Sequence, residues 1–159
     1  MKIRVGFGYD VHRLVAGKDL WIGGIKLDYS KGLEGHSDAD VLIHSICDAL
    51  LGAANLGDIG VHFPDTSSNF KNIDSKILLA ETAKLIRNKG YEIGNIDVTV
   101  CAEQPKLNPY ISSMKETLAK VLNIDIDDIS IKATTTEKLG FVGREEGIAA
   151  HVVALLTRN

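Results

Sequence analysis

Residues 38–54 constrain the fold more than any other segment, because they are predicted to form a helix that is apolar around most of its circumference. At about 100° per residue, one stripe of this helix carries Leu42, Ile46, Ala49, Leu50 and Ala53. The opposite side carries Cys47 and Leu51. Such a helix is poorly suited to a solvated surface, so we expect it to be buried on two sides, with the stripe against a sheet.

The start of this helix holds groups that suit either capping or chemistry. Ser37 is a suitable N-cap, and Asp40 three residues later resembles the second half of a capping box. His36 precedes the cap, where free N–H groups and the helix dipole favour anions. His44 lies away from the apolar stripe, with Asp40 and Asp48 one turn to either side. It is either an exposed histidine on a polar face or a side chain with a defined role, oriented by neighbouring carboxylates.

Alternating apolar residues predict strands on both sides of this helix. In residues 2–10, Ile3, Val5, Phe7 and Tyr9 alternate with Lys2, Arg4, Gly6 and Gly8, which is the period of a strand. Further strands are predicted at 91–103, 129–135 and 147–156, with a hairpin at 20–27 around Gly23-Gly24. Two more helices are predicted, one at 74–89 capped by Asp74, and one from Asn108, as N-cap before Pro109, to about Leu122.

This order of elements predicts an α+β fold. We expect one domain, residues 1–159, in which a mixed β-sheet carries its helices on one face. The predicted helices are too few to cover both faces of the sheet. We therefore expect the bare face to be covered by association of subunits.

The composition excludes several classes of partner. The net charge is −3, so the chain lacks the basic surface typical of proteins that bind nucleic acid. Cys47 and Cys101 share no zinc-binding spacing and are expected to be free, buried thiols in a reducing compartment. No apolar run approaches the ~20 residues of a membrane span, and the N-terminus lacks the pattern of a signal peptide. We expect a protein that binds neither nucleic acid nor membrane and that is cytoplasmic, or located in an organelle stroma if a transit peptide has been removed.

Asp10 and His12 lie two residues apart at the end of the first predicted strand, so their side chains share one face. Two ligands in this position are a compact way to hold a metal, although a solvated pair is the commoner case. Asp58, between two glycines in the predicted loop 55–70, and the turn Phe63-Pro64-Asp65-Thr66 are either ordinary loop residues or ligands.

Residues 133–144 run from a strand into three threonines, then Glu137, Lys138 and a glycine-containing loop that ends at Arg144. Hydroxyls, loop amides and a cation suit phosphate oxygens. The alternative is that the threonines reflect only strand propensity. The P-loop pattern is absent.

Several segments that occur in one chain and in this order are far more specific than any of them alone: GYDVH, GHSDADVLIH, DALLGA, GDIG with FPDT, AEQPK and KATTTEKLGFVGR. Together they closely resemble the 2-C-methyl-D-erythritol 2,4-cyclodiphosphate synthase family of the non-mevalonate isoprenoid pathway. The resemblance extends from about Ile3 to Leu156. No position that carries function in the family departs from its pattern.

The resemblance implies a homotrimer with sheets packed around a threefold axis and an active site between each pair of neighbouring subunits. It implies Zn²⁺ held by Asp10, His12 and His44, and a second divalent cation, Mg²⁺ or Mn²⁺, held with the help of Glu137. His36 and Thr135 match the family residues that contact the transferring phosphate region.

The remaining matches are implied to bind small molecules. Those at the helix start and in the methylerythritol loop are Ser37, Asp58, Ile59, Gly60, Phe63, Pro64, Asp65, Thr66 and Ser67. Those in the cytidine pocket are Ala102, Glu103, Gln104, Pro105, Lys106, Leu107, Asn108, Thr134 and Thr136. Phe141 and Arg144 match residues near a central cavity that can take an isoprenoid diphosphate effector.

The family reaction is a phosphorus–oxygen lyase reaction within one molecule. The 2-phosphate of 4-diphosphocytidyl-2-C-methyl-D-erythritol 2-phosphate attacks the β-phosphorus, which gives 2-C-methyl-D-erythritol 2,4-cyclodiphosphate and CMP. A phosphate monoester has its second pKa near ~6, so this nucleophile needs no strong base. The chain accordingly has no recognisable Ser-His-Asp or nucleophilic cysteine arrangement.

Two other functions remain open. A metal-dependent phosphohydrolase would use water as its nucleophile, although Ser37 separates His36 from Asp38 where His-Asp hydrolases have an adjacent pair. A trimeric ligand-binding or regulatory module would have no turnover at all. The products distinguish the three: a cyclic diphosphate with CMP, a linear product with free phosphate, or no product.

Overall fold

A mixed β-sheet organises the computed structural model, which describes residues 1–159. Its strands are β1 (Lys2–Ala16), β4 (Lys31–Glu34), β5 (Glu92–Cys101), β6 (Ile129–Thr134) and β7 (Gly147–Arg158), and a separate hairpin is formed by β2 (Leu20–Ile22) and β3 (Ile25–Leu27). The strand order is β4-β1-β7-β5-β6. Only β5 and β6 are parallel, and the other neighbours are antiparallel. The single-domain α+β fold with a mixed sheet is thus confirmed.

The α-helices are α1 (Val41–Ala53), α2 (Ile59–His62), α3 (Ser75–Asn88), α4 (Ile111–Leu122) and α5 (Gly140–Gly143). Short 3₁₀ turns occur at Ser68–Phe70, Asn108–Tyr110 and Ile126–Asp128. None of the helices combines the length and the apolar character that crossing a bilayer would require.

Helix α1 is buried on two sides, as its composition predicts. It packs against β1 and β7 on one side and against α3 on the other. His44, Asp48 and Gly52 are its only residues that are not fully buried. Because they are spaced four apart, they form a single open stripe.

The contact between α1 and β1 is a contact of main chains. A Cβ atom added at Gly6 would lie 1.9 Å from the carbonyl oxygen of Ala49, and one added at Gly8 would lie 1.9 Å from that of Ser45. No other residue fits where two backbones approach so closely. The two glycines therefore fix the distance between helix and strand.

The predicted start of α1 is wrong by three residues. The N-cap is Asp40, whose carboxylate accepts a hydrogen bond from the amide of Ile43, and Ser37 lies before the helix. The same carboxylate accepts hydrogen bonds from the amides of Gly23 (3.0 Å) and Gly24 (2.7 Å) in the β2–β3 turn. A contact with a distant hairpin therefore selects the cap, and local sequence does not reveal it.

Two smaller predictions also fail. Asn108 caps nothing with its side chain; it begins a 3₁₀ turn, and α4 starts only at Ile111. Strand β4 was not predicted, because its four residues, KGLE, show no clear alternation. It pairs with the end of β1.

The face of the sheet opposite α1 is bare in the single chain. On β1 it presents Ile3, Val5, Phe7, Tyr9 and Val11, each between 41% and 64% exposed. Val153 of β7 belongs to the same exposed apolar surface. Contiguous apolar surface of this kind marks an interaction site in a soluble protein, which agrees with the expectation that subunits cover it.

Candidate active site

Strand β1 and the open stripe of α1 bring Asp10, His12 and His44 together. By strand periodicity, Asp10 and His12 share the face of β1 on which α1 packs. Asp10 Oδ2 lies 2.9 Å from His12 Nε2 and 3.3 Å from His44 Nδ1, and the two nitrogens are 3.2 Å apart. Three ligand-type atoms from two elements therefore meet at one point.

These three atoms fit a bound cation. Asp10 Oδ2 is buried and accepts no hydrogen bond, although both imidazoles are close to it. An unpaired buried oxygen costs free energy, and a cation would satisfy it. A carboxylate and two imidazoles are suitable ligands for zinc, and three protein ligands leave one tetrahedral position open.

In each imidazole, the ring nitrogen that faces away from the cluster has a hydrogen-bonding partner. His12 Nδ1 lies 2.9 Å from the carbonyl oxygen of Glu34 on β4, so Nδ1 carries the proton and Nε2 is left as the ligand atom. His44 Nε2 lies 3.0 Å from Ser37 Oγ and 2.9 Å from Ser75 Oγ. Such partners orient ligating imidazoles.

The charges of the cluster are coupled. Burial alone would raise the pKa of Asp10, but the neighbouring His12 and His44 outweigh it and lower the pKa to about 2. Burial alone would lower the pKa of His12, but Asp10 and the Glu34 carbonyl outweigh it and raise the pKa above its usual 6.5. Asp10 is therefore ionised at neutral pH, as a ligand must be.

A cavity of about 360 Å³ opens beside the cluster. Its lining includes His36, Ser37, Ile59, Gly60, Phe63 and Asp65 together with the three cluster residues. His36 Nε2 lies 3.0 Å from the carbonyl oxygen of Ser67, which fixes the ring against the loop. The histidines 36 and 44 thus reach one cavity from different positions.

The loop on the far side of this cavity is built around Asp58 and an aromatic contact. Asp58 accepts a hydrogen bond from the amide of Val61 (3.0 Å) and caps the short helix α2. Phe63 and Phe70 stack edge to face, with ring centroids 5.6 Å apart. The predicted residues 58–67 lie in this loop, although Asp58 appears here as a helix cap.

Asp40 and Asp48 do not orient His44, contrary to one interpretation of the sequence. Asp40 is fully buried at the β2–β3 turn, and burial raises its pKa. Asp48 Oδ1 accepts a hydrogen bond from the amide of Ile59 (2.8 Å), which ties α1 to α2. Burial raises the pKa of Asp48 as well.

Most of the other predicted residues form a second group at the ends of β5 and β6; Thr136, Phe141 and Arg144 line neither of its two clefts. A cleft of about 120 Å³ is lined by Ala102, Pro105, Lys106, Leu107, Asn108, Ala133, Thr134 and Thr135. A polar cleft of about 450 Å³ is lined by Glu103, Gln104, Lys106, Thr135, Glu137, Lys138, Gly143 and Glu145. Neither cleft shares a residue with the cavity beside His44. One chain therefore carries two separate groups of predicted site residues, and Glu137 is not in the metal cluster.

The turn that carries Glu137 is strained. Glu137 and Lys138 have φ values of 54° and 63°, in the left-handed region that costs non-glycine residues free energy. The Glu103 carboxylate accepts a hydrogen bond from the amide of Lys138 (2.6 Å), and Thr135 Oγ1 accepts one from the amide of Glu137 (3.3 Å). Gly143 leaves room for the turn, since a Cβ there would lie 2.1 Å from the Lys138 carbonyl carbon.

Sequence reasoning missed two contributors to the first group. Ser75 and Asp38 lie behind His44, and Ser75 Oγ donates a hydrogen bond to Asp38. For Asp38 the sequence indicates only the ordinary role of an acid in the first turn of a helix, where acids are favoured. No local signal distinguishes Ser75 from any other residue at a helix start, because its contact joins segments 37 residues apart.

Comparisons with known proteins agree with this arrangement. A model of the YgbB family matches residues 3–157. The 2-C-methyl-D-erythritol 2,4-cyclodiphosphate synthase of Parabacteroides distasonis is 69% identical over 158 residues, which cover 99% of this chain and 98% of that protein. The chain belongs to the YgbB family.

Two solved structures share the fold. IspF of Plasmodium falciparum, in a CDP complex, superposes with a TM-score of 0.87 and 38% identity, covering 99% of this chain and 97% of the other. The bifunctional IspDF of Campylobacter jejuni superposes with a TM-score of 0.96 and 44% identity over 99% of this chain. The chain spans 43% of the length of that bifunctional protein.

Zinc binding should weaken as the pH falls. Because Asp10 and the Glu34 carbonyl raise the pKa of His12, its Nε2 keeps a proton up to a higher pH than a free imidazole does, and a cation must displace that proton. Asp10, with a pKa of about 2, adds no pH dependence above pH 5. Titration with Zn²⁺ between pH 8 and 5 should show the Kd rising by up to about tenfold per pH unit for each displaced proton.

Asp10→Asn is the control for this titration. It removes the carboxylate that raises the pKa of His12, so zinc should bind more weakly at every pH and the midpoint of the pH dependence should move down. A Kd that does not change with pH would contradict the assignment of His12 as a ligand.

Proposed function

We propose that the protein converts 4-diphosphocytidyl-2-C-methyl-D-erythritol 2-phosphate into 2-C-methyl-D-erythritol 2,4-cyclodiphosphate and CMP. An oxygen of the 2-phosphate forms a bond to the β-phosphorus, and the bond from that phosphorus to the oxygen bridging it to the α-phosphate breaks. CMP leaves with that oxygen. The observation that carries the proposal is the convergence of Asp10, His12 and His44 beside His36 in one cavity, in a chain of this family.

The reaction needs no strong general base from the protein. The second pKa of a phosphate monoester is near ~6, so the nucleophile is largely anionic at neutral pH. The obstacles are repulsion between phosphates and the entropy of ring closure. Holding both phosphates in place can supply on the order of 7–11 kcal/mol of the barrier.

In this proposal Asp10, His12 and His44 hold Zn²⁺. When bound, a metal of this kind stabilises negative charge on phosphate oxygens. His36 faces the same cavity and contacts the phosphate from the side of the 58–67 loop. That loop, including Asp58, receives the methylerythritol carbons and hydroxyls and limits the access of water.

The second group of residues is proposed to bind the nucleotide. The narrow cleft is lined by Ala102, residues 105–108, Thr134 and Thr135, and main-chain groups there would contact the cytosine. Glu103 and Gln104 line the polar cleft, and Thr136 follows Thr135 in the chain. Glu137 helps to hold a second cation, Mg²⁺ or Mn²⁺, on the diphosphate, and Thr135 contacts the transferring phosphate. The Plasmodium falciparum relative is a CDP complex, which supports a cytidine nucleotide as the ligand of this fold.

A homotrimer accounts for the two groups of residues on one chain. They line separate cavities, so a complete site needs the metal group of one subunit and the nucleotide group of its neighbour. The bare apolar face of β1 gives the subunits a surface on which to associate. We propose that three copies pack these faces around a threefold axis.

His44→Ala tests the metal and the reaction together. Its Nδ1 is one of three ligands, so zinc content should fall from about one ion per chain to near zero. Metal catalysis is worth several kcal/mol, so kcat should fall on the order of 10³-fold. Metal analysis and ³¹P NMR of the products measure both effects.

His62→Ala is the matched control for zinc content, because its imidazole lies on α2 and outside the cluster. The wild-type products decide between the proposed reaction and its rivals. A linear product with free phosphate would indicate a hydrolase, and binding without product a regulatory module. Full cyclase activity of His44→Ala would exclude the zinc assignment.

Phe7→Asp tests the assembly. Phe7 is 63% exposed on the bare face, so the substitution is harmless in a monomer but buries an unpaired charge in the proposed trimer. Sedimentation should report a trimer for the wild type and mostly monomer for the variant, with activity lost in proportion. Ile77→Asp is the control, since Ile77 is 53% exposed on α3, away from the sheet face. An unchanged trimer in Phe7→Asp would refute this interface.

We further propose that Phe141 and Arg144 serve an isoprenoid diphosphate effector. Phe141 lines a cavity of about 620 Å³ together with Val11 and Leu14. Arg144 follows this segment, is exposed, and pairs with Glu146 at 2.7 Å, which it would exchange for the diphosphate.

Arg144→Ala should weaken binding of an isoprenoid diphosphate about 10- to 100-fold, because hydrogen bonds to charged groups contribute about 1.5–3 kcal/mol. Calorimetry measures the affinity, and Lys26→Ala, which removes a surface cation paired with Asp19, is the control. Equal affinity in Arg144→Ala and wild type would end this proposal.

A further inference from the structure

Two side chains continue from His44 away from the metal cluster. His44 Nε2 lies 2.9 Å from Ser75 Oγ, and Ser75 Oγ donates a hydrogen bond to Asp38 Oδ1. Ser75 is the first residue of α3 and is completely buried. Asp38, Ser75 and His44 thus form a chain that joins α3 to the metal cluster.

Asp38 sets the direction of the hydrogen bonds in this chain. An ionised carboxylate can only accept, so the hydroxyl proton of Ser75 is committed to Asp38. The Ser75 oxygen then has only lone pairs to offer to His44. His44 must therefore carry its proton on Nε2, which leaves the lone pair of Nδ1 directed at Asp10 and His12.

Asp38 is itself immobilised. Its Oδ2 accepts a hydrogen bond from the amide of Ser75 (2.9 Å), and its Oδ1 accepts a further one from the amide of Asp40 (3.1 Å). Both oxygens are occupied, so the carboxylate cannot rotate away without breaking a contact. The orientation of His44 is thereby tied to the start of α3.

Ser37 is the other hydroxyl near His44 Nε2, at 3.0 Å. Its oxygen accepts a hydrogen bond from the amide of Ala39 (3.2 Å), and it donates to no carboxylate. Its proton remains free to turn toward or away from His44. Ser37 therefore cannot select a tautomer, whereas Ser75 can.

We propose that Ser75 and Asp38 are positioning residues of the metal site, which hold His44 in the tautomer and orientation that make Nδ1 a ligand. The inference rests on the proposed metal site. Neither residue touches the cation or the substrate in this scheme. Their effect is on the affinity for metal.

The experiment measures the Kd for Zn²⁺ by competition with a chromophoric chelator. Ser75→Ala and Asp38→Asn should each weaken zinc binding about 10- to 100-fold, as loss of a partner behind a ligating histidine typically does. The double variant should bind zinc no more weakly than the single variant that has the lower affinity. The two effects do not add, because both residues act through the same contact with His44. The visible spectrum of the Co²⁺-loaded protein should change in both single variants.

Ser45→Ala is the matched control. Ser45 is also a completely buried serine, adjacent to His44, but its hydroxyl donates to the carbonyl of Leu42 (2.8 Å). It should keep the wild-type zinc affinity and cobalt spectrum. A loss in Ser45→Ala equal to that in Ser75→Ala would assign the effect to general destabilisation and overturn the proposal.

The variants are expected to fold. Asp74 caps α3 by accepting a hydrogen bond from the amide of Lys76 (2.9 Å), and Ser75→Ala leaves this cap in place. Asp38→Asn replaces the side chain with one of nearly the same shape, and it serves as the test variant if Ser75→Ala does not fold. Wild-type zinc affinity in either folded variant would contradict the proposed positioning role of Ser75 and Asp38. Failure of the wild type to bind zinc would instead contradict the metal site itself, on which the positioning role depends.

Discussion

The contact between the backbone of α1 and the two glycines of β1 is the constraint on which the rest of the structure depends. Gly6, Gly8, Asp10 and His12 follow one another at alternate positions, so they share one face of the strand. The helix lies on the glycines, and the ligands continue along the same face toward the helix start, where His44 is. The distance between the strand ligands and the helix ligand is therefore set by main-chain atoms in contact.

This arrangement explains why much of the fold could be predicted from the sequence. The apolar circumference of α1 predicts burial on two sides, and the alternation in 2–10 predicts the strand β1. The bare face of the sheet was expected because the predicted helices are too few to cover both faces. These patterns reflect burial along one element, which a single sequence reports directly. Strand alternation also places Asp10 and His12 on one face as candidate ligands, but the addition of His44 to them as a zinc ligand was implied by the family resemblance and not by periodicity.

The predictions that were wrong or missing concern residues whose positions depend on contacts between distant segments. Asp40 replaces Ser37 as the cap of α1 because the amides of Gly23 and Gly24 reach its carboxylate. Ser75 reaches His44 only because α3 packs on α1. The roles of the residues near Glu137 were suggested by resemblance to a family, and the structure adds that their turn is held by Glu103 and lies apart from the cluster. A pattern within one segment cannot show that the site residues of one chain fall into two separate groups.

The anchoring of α1 has a consequence for the protein without its metal. The body of the helix is fixed by the glycines of β1, and its first turn is fixed by three amides that converge on Asp40. Neither contact involves a ligand atom. In small zinc domains the metal free energy is also folding free energy, and chelators denature them. Here the apoprotein is expected to be folded and preorganised, so the binding free energy of the metal remains available for affinity rather than for ordering the chain.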